Sequence, residues 1–135
     1  MFILTLFHIL KLLFSFFTGP DLPFTVDRHS MIQFDEKSIY LIGGMQNYTR
    51  SNASDKTWVI DPNTVLTNNE FCIRQGPSLN QERSEFACGK MKLNEKNLLV
   101  VAGGNYLNSS GRAIALDSIE ILDPLSDKGW IFGNF

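Results

Sequence analysis

The stretch LLVVAGG, residues 98–104, decides the fold of this chain. Five aliphatic residues run into two adjacent glycines, which is typical of a strand that is buried on both faces. A glycine pair at the end of a strand permits positive φ and removes side chains where backbones crowd. The stretch IYLIGG, residues 39–44, has the same form. Two such strands in one short chain predict a repeated structural unit.

Three sequence features recur in the same order along the chain. GPDL at 19–22 returns as GPSL at 76–79, YLIGG at 40–44 as VVAGG at 100–104, and WVIDP at 58–62 as EILDP at 120–124. The offsets of 57, 60 and 62 residues grow along the chain, as expected when similar strands are joined by loops of different length. We therefore predict two units, 19–75 and 76–135, behind a hydrophobic leader at 1–18.

Each unit is predicted to contain four antiparallel strands. The first strands are 29–34 and 85–91, the second 38–44 and 97–104, the third 56–62 and 117–124, and the fourth 70–77 and 129–133. Each third strand stops at Asp-Pro because proline cannot donate a ladder hydrogen bond. No segment after residue 20 shows a sustained helical period, so the sequence predicts an all-β fold.

Length and charge limit the classes of function. The chain has 135 residues, enough for one ordinary domain, and its 12 basic and 14 acidic residues give a net charge of -2. This balance lacks the basic footprint of phosphate-backbone binding, so we expect no nucleic-acid partner.

The leader predicts a route into the secretory pathway. Its apolar run, residues 2–17, is shorter than the roughly 20 residues that cross a bilayer, and this favours a signal peptide. Two alternatives to a signal peptide remain open. The leader could be an uncleaved anchor, which would attach the chain to a membrane, or the start of the sequence could be wrongly joined. Sequons at Asn47, Asn52 and Asn108 predict glycans on exposed loops if the chain is secreted.

The ordered features together resemble the Kelch repeat family over residues 19–135. In the first unit the matching residues are Arg28, Gly43, Gly44, Asp61, Pro62 and Phe71, and the Gly-Pro-x-Leu segment that follows them is Gly76, Pro77 and Leu79. In the second unit they are Arg83, Gly103, Gly104, Asp123, Pro124 and Trp130. The chain departs from the family pattern at Phe71, where tryptophan is usual, and at Ser84, where histidine often follows the arginine.

The resemblance implies four-stranded blades of a β-propeller, and two blades form an incomplete ring. We therefore expect either a fragment of a larger propeller or a chain that assembles with others to complete the ring. The implied function is binding of a protein partner, still unidentified, through loops, without catalysis and without a cofactor. The candidate binding residues are Arg28, Tyr48, Arg50, Arg83, Tyr106 and Arg112. For Arg28 and Arg83 the alternative is that each ties its own loop to neighbouring carbonyl groups.

Other functions remain open beside this one. A Kelch-like propeller is also the scaffold of galactose-oxidase-like enzymes, so the chain could be a piece of a carbohydrate-binding or carbohydrate-oxidising protein whose ligands lie elsewhere. A cytoplasmic substrate adaptor for ubiquitin ligation would make the leader an artefact.

The cysteines carry a separate prediction. Cys72 and Cys88 are a candidate disulfide, with two buried thiols as the alternative, because the predicted strands place them on an outer and an inner strand. Together with His29 they do not supply four metal ligands, so we expect no metal site.

Overall fold

The computed structural model of the chain describes residues 22–46, 53–65 and 71–133. These residues form twelve β-strands and no helix, which confirms the all-β prediction. A membrane-spanning helix is accordingly absent from the described residues.

The strands follow one another in a simple order. In chain order they are β1 (Val26–Asp27), β2 (Ser30–Asp35), β3 (Ser38–Ile42), β4 (Met45–Gln46), β5 (Thr57–Val65), β6 (Phe71–Gln75), β7 (Ala87–Leu93), β8 (Lys96–Ala102), β9 (Asn105–Leu107), β10 (Ala113–Ala115), β11 (Ile119–Leu122) and β12 (Ile131–Phe132).

Eight of these strands form two four-stranded antiparallel sheets. The first sheet has the order β2-β3-β5-β6 and the second the order β7-β8-β11-β12. All eight predicted strands are therefore confirmed, but the predicted stop at Asp-Pro is wrong for the third strand of the first sheet. β5 continues through Asp61 and Pro62 to Val65, with a register shift at which the proline is tolerated. In the second sheet β11 does end at Leu122, directly before Asp123-Pro124. Two further pairs, β1 with β4 and β9 with β10, form small sheets that the sequence did not predict.

The two large sheets have the same strand register. Leu41 pairs with Met31 and Trp58 in the first sheet, and Val101 pairs with Cys88 and Glu120 in the second. These pairs keep the offsets of 57, 60 and 62 residues between first, second and third strands. The sequence repeat is therefore also a structural repeat.

The hydrophobic core lies between the two sheets. Strand β2 lies against β7, and side chains from both sheets and from the connection between them meet there. The buried members are Tyr40, Ile42, Val59, Leu79, Phe86, Leu99, Val101, Leu122 and Trp130. The sheets thus pack side by side, and within the described residues they do not close into a ring, as predicted for an incomplete propeller.

The second glycine of each pair is required by a close approach of backbones. Gly44 has φ +87° and Gly104 has φ +90°. A Cβ atom on Gly44 would lie 2.6 Å from the carbonyl oxygen of Asp27, and one on Gly104 would lie 2.6 Å from that of Ser84. Each second strand therefore leaves its sheet directly over the loop that enters its own first strand.

The predicted match of Arg28 with Arg83 is wrong. A Cβ atom on Gly44 would lie 2.8 Å from the Cβ of His29, and one on Gly104 would lie 2.8 Å from the Cβ of Phe86, so His29 matches Phe86. Arg28 then matches Glu85, and these two residues share an unusual positive φ, 53° and 55°. Both arginines precede a first strand, but Arg83 lies two residues farther from its strand than Arg28 does.

The predicted match of Phe71 with Trp130 is also wrong. The N–H of Gly76 donates to the carbonyl of Thr57 at 2.8 Å, and that of Gly133 donates to the carbonyl of Ile119 at 2.9 Å, so these glycines are equivalent. Trp130 lies three residues before its glycine and therefore matches Ile73.

Candidate functional site

The long connections of both sheets gather at one end, which we call the glycine end. Each second and fourth strand finishes there and each first and third strand begins there, because all neighbours are antiparallel. The described segments at this end are 22–29, 43–46, 53–56, 76–86 and 103–118. The opposite end, the hairpin end, carries the tight turns at 36–37 and 94–95.

An exposed polar cluster lies at the glycine end, where the two sheets meet. Nη1 of Arg28 lies 3.3 Å from Oε1 of Glu85, and both side chains are about half exposed. Nδ2 of Asn105 donates to Oε2 of Glu85 at 2.8 Å, and the Glu85 N–H donates to the carbonyl of Arg28 at 3.0 Å. The candidate Arg28 is therefore at the surface, held by contacts that cross from one unit to the other.

Tyr106 and Arg112 lie on the hairpin formed by β9 and β10, beside this cluster. Tyr106 is half-buried and pairs with Ile114, whereas Arg112 is exposed in the turn. Oδ1 of Asn108 accepts hydrogen bonds of 3.0 Å from the N–H groups of Ser110 and Arg112. Both candidates thus lie at the glycine end on a turn that is held by its own hydrogen bonds.

Four predicted residues lie outside the described part of the chain. They are the binding candidates Tyr48 and Arg50 and the glycosylation candidates Asn47 and Asn52.

Arg83 is buried and does not face solvent. Its side chain is 0% exposed, and its Nη2 lies 2.8 Å from Oε1 of Glu120, which is also 0% exposed. Its Nη1 donates to the carbonyls of Gly103 at 2.8 Å and Ser118 at 3.2 Å. Of the two interpretations of this arginine, the geometry matches the one in which it ties its loop to neighbouring carbonyls.

Glu120 is a structural residue that the sequence analysis missed. Its carboxylate also accepts the N–H of Asn80 at 2.7 Å, Nδ2 of Asn80 at 3.0 Å and the N–H of Gln81 at 3.1 Å. The segment 76–86, which we call the linker, is therefore fixed to the second sheet by charge-assisted hydrogen bonds. The available signal was a glutamate in the middle of an apolar strand, where a charge requires a buried partner.

Trp130, from the second unit, contacts both the linker and the first sheet. Its indole N–H lies 3.1 Å from the carbonyl oxygen of Pro77 and 3.3 Å from Oγ1 of Thr57. The ring is 4% exposed and belongs to the core. Trp130 thus has a structural role, together with the linker.

The predicted disulfide between Cys72 and Cys88 is not formed, and both thiols are free. Cys72 lies on the outermost strand of the first sheet, whereas Cys88 lies on the innermost strand of the second sheet. Burial also raises the pKa of the Cys88 thiol to about 11, which keeps it protonated and poorly reactive at neutral pH.

The hairpin end carries an open cleft of about 590 Å³. It is lined by Phe34, Asp35, Glu95, Lys96, Asn97, Asp123, Leu125, Ser126 and Asp127. The Lys96 ammonium donates to Oδ2 of Asp123 at 2.8 Å, so one of its carboxylates is already paired. Among the described residues no group of three or more His, Cys, Asp or Glu side chains is arranged to hold a metal ion.

No protein-family model matches this chain, and neither does any curated protein. The resemblance to Kelch repeats accordingly depends on the residues quoted from the sequence.

Proposed function

We propose that this chain is a Kelch-type propeller segment that binds a protein partner through its glycine end. The observation that carries the proposal is the exposed polar cluster of Arg28, Glu85 and Asn105 on a rigid, repeated framework. Arginine is enriched at protein-binding hot spots, and loops held by a rigid scaffold are frequent sites of recognition. The buried pair Arg83–Glu120 supports the proposal because it fixes the loop that carries Glu85.

The backbone at this cluster also supports binding. Arg28 and Glu85 both have positive φ, which costs of the order of 1–3 kcal/mol for a residue that is not glycine. Strained backbone of this kind is concentrated at functional sites. Asn94 and Glu95 in the hairpin-end turn also have positive φ, so what distinguishes the glycine end is that an arginine and a glutamate lie 3.3 Å apart at the surface, where they can offer both charges to a partner.

The proposal is tested by site-specific photo-crosslinking of the full chain in the cells that produce it. A photoreactive amino acid at Arg112 is expected to form protein adducts, whereas the same group at Asp127, at the hairpin end, is expected to form few. Arg28→Ala is expected to lower the adduct yield about fivefold or more, the usual size for a hot-spot residue. Adducts from Asp127 alone, or none from Arg112, would contradict the proposal.

We propose in addition that the chain is secreted and glycosylated at Asn108. Among the described residues nothing accepts a hydrogen bond from Nδ2 of Asn108, and the acceptor sequence continues into the exposed Ser110. Expression in secreting cells is expected to yield a glycosidase-sensitive form whose mass shift decreases in Asn108→Gln. An unchanged glycosidase shift in Asn108→Gln would contradict modification at this residue.

A further inference from the structure

The hairpin formed by β9 and β10 has two faces, and Asn108 lies where it closes. Its strand pairs are Asn105 with Ala115, Tyr106 with Ile114, and Leu107 with Ala113. The N–H of Asn108 donates to the carbonyl of Arg112 at 3.0 Å, so these two residues continue the same register. Directly opposite residues of an antiparallel pair share a face, and so do residues two apart along a strand. Tyr106, Asn108 and Arg112 therefore lie on one face of the hairpin.

The other face of the hairpin contacts the exposed polar cluster. Nδ2 of Asn105 donates to Oε2 of Glu85 at 2.8 Å, and Oε1 of Glu85 lies 3.3 Å from Nη1 of Arg28. Asn105 and Asn108 are three residues apart, so their side chains leave opposite faces. The binding candidates are thus divided between two faces, with Arg28 on the side of Asn105 and with Tyr106 and Arg112 on the side of Asn108.

The side chain of Asn108 is held in one orientation by its own turn. Its Oδ1 accepts the N–H groups of Ser110 and Arg112, both at 3.0 Å, and its main-chain carbonyl accepts the N–H of Gly111 at 2.8 Å. In N-glycosylation the anomeric carbon of a lipid-linked oligosaccharide bonds to Nδ2, which loses a proton as the lipid diphosphate leaves. Oδ1 remains an acceptor after this reaction, so the turn persists and fixes the direction in which the glycan leaves.

We propose that a glycan at Asn108 excludes the protein partner from the face of Tyr106 and Arg112 and leaves the face of Arg28 accessible. This inference rests on the proposed partner binding and on the proposed glycan. Directly opposite residues have Cβ atoms about 5 Å apart, so a bulky glycan on Asn108 begins beside Arg112. Arg28 is reached from the opposite face, and the hairpin separates it from the glycan. The occupancy of Asn108 therefore determines whether the partner contacts one face or both.

The two serines of the turn supply matched variants. Ser110 completes the sequon and Ser109 is its middle residue, so Ser110→Ala prevents glycosylation of Asn108 whereas Ser109→Ala preserves the sequon. Both serines are exposed, and among the described residues neither hydroxyl group forms a hydrogen bond. The two variants therefore differ in the glycan and not in the hydrogen bonds of the turn.

The full chain of each variant is expressed in the cells that produce it, with a photoreactive amino acid at Arg112 or at Ala113. Both positions are exposed and adjacent, and they lie on opposite faces of the hairpin. Arg112 is expected to give about fivefold fewer protein adducts in Ser109→Ala than in Ser110→Ala, because the glycan clashes with the partner on that face. The Arg112 adducts that do form in Ser109→Ala should come from unglycosylated chains. Ala113 is expected to give equal adduct yields in both variants.

Equal adduct yields from Arg112 in the two variants would overturn this inference and leave partner binding intact. A parallel loss of adducts at Ala113 in Ser109→Ala would also overturn it, because the glycan would then act on binding as a whole. So would an equal glycosidase shift in the two variants, which would show that Asn108 carries no glycan. An absence of Arg112 adducts in Ser110→Ala is a different result, since it contradicts partner binding at the glycine end itself and this inference with it.

Discussion

The two sheets have one architecture and two different environments. They share strand order, register and paired glycines. In the first sheet, however, Tyr40 and Ile42 are buried, whereas the matching residues of the second sheet, Val100 and Ala102, are partly exposed. The comparison teaches that strand formation follows from the sequence of each unit, whereas burial of a unit's outer face depends on what packs against it.

The largest expected difference in stability is between loss of the buried charge pair Arg83–Glu120 and loss of the exposed pair Arg28–Glu85. Arg83→Ala leaves Glu120 charged and buried, and is expected to lower the free energy of unfolding by about 3–5 kcal/mol. Arg28→Ala removes a half-exposed partner of Glu85 and is expected to cost less than about 1 kcal/mol. Urea unfolding of both variants measures the difference. Similar losses in the two variants would show that the Arg83–Glu120 pair does not fix the linker.

The next largest difference in stability is expected between substitutions of Gly43 and Gly103, the first glycines of the two pairs. Gly43→Ala and Gly103→Ala both put a side chain at positive φ, at a cost of about 1–2 kcal/mol. Gly43→Ala also pushes against the carbonyl oxygen of Arg83, which would lie 2.6 Å from the added Cβ atom, and this should add about 1–3 kcal/mol. Unfolding measurements on this chain should therefore rank Gly43→Ala as clearly worse. Equal costs would mean that the linker does not pack on Gly43.

A smaller effect distinguishes the two tryptophans. Trp130→Phe loses the N–H that donates to Pro77 and is expected to cost about 1 kcal/mol. In Trp58, by contrast, the buried indole N–H has no acceptor among the described residues, and its ring packs on Phe24 at a centroid distance of 4.9 Å. Trp58→Phe should be close to neutral by thermal unfolding. A greater loss of stability in Trp58→Phe than in Trp130→Phe would contradict the stabilising role of the Trp130 N–H.

The smallest expected effect concerns the aspartates of the two Asp-Pro sequences, Asp61 and Asp123. The pKa of Asp61 lies below its ordinary value of 3.8 chiefly because the N–H of Asn63 donates to it, whereas the chief cause at Asp123 is the hydrogen bond from Lys96. A lowered folded-state pKa stabilises the fold above the unfolded value, and the gain disappears as pH falls below about 3.8 through the folded pKa.

The salt dependence of the two pKa values distinguishes the backbone hydrogen bond at Asp61 from the Lys96 hydrogen bond at Asp123. Raising NaCl from about 10 mM to about 1 M screens the exposed ammonium, so the pKa of Asp123 should rise more than that of Asp61 in a carboxyl NMR titration. Lys96→Gln should raise the pKa of Asp123 and leave that of Asp61 unchanged. An equal response of the two aspartates to salt would contradict the different causes.

Much of the fold could be predicted because its signals are local. Continuous apolar strands and glycine pairs are each properties of a few neighbouring residues, and they predict the eight strands of the two large sheets. The Asp-Pro stop is correct for β11 but not for β5, which continues to Val65. The small sheets contain strands of two or three residues, which are too short to show a period. Their existence depends on how the connections fold back.

The candidate site was less accessible to sequence reasoning. Arg28 and Arg83 share residue type and a place before a first strand, yet one is exposed and the other is buried against Glu120. The difference is set by a partner 37 residues away, beyond any local pattern. Glu85, the counterpart of Arg28 in the second sheet, belongs to no sequence motif, and its equivalence follows only from the register of the two sheets.

The two sheets are one repeated unit whose equivalent faces differ, since the face is covered in the first sheet and partly open in the second. Amide hydrogen exchange at Gly44 and Gly104 in the same chain measures this difference, because the two N–H groups are equivalent and only that of Gly44 donates to a described carbonyl. The N–H of Gly44 is expected to exchange about a hundredfold more slowly than that of Gly104. Equal rates at the two glycines, or faster exchange at Gly44, would contradict it.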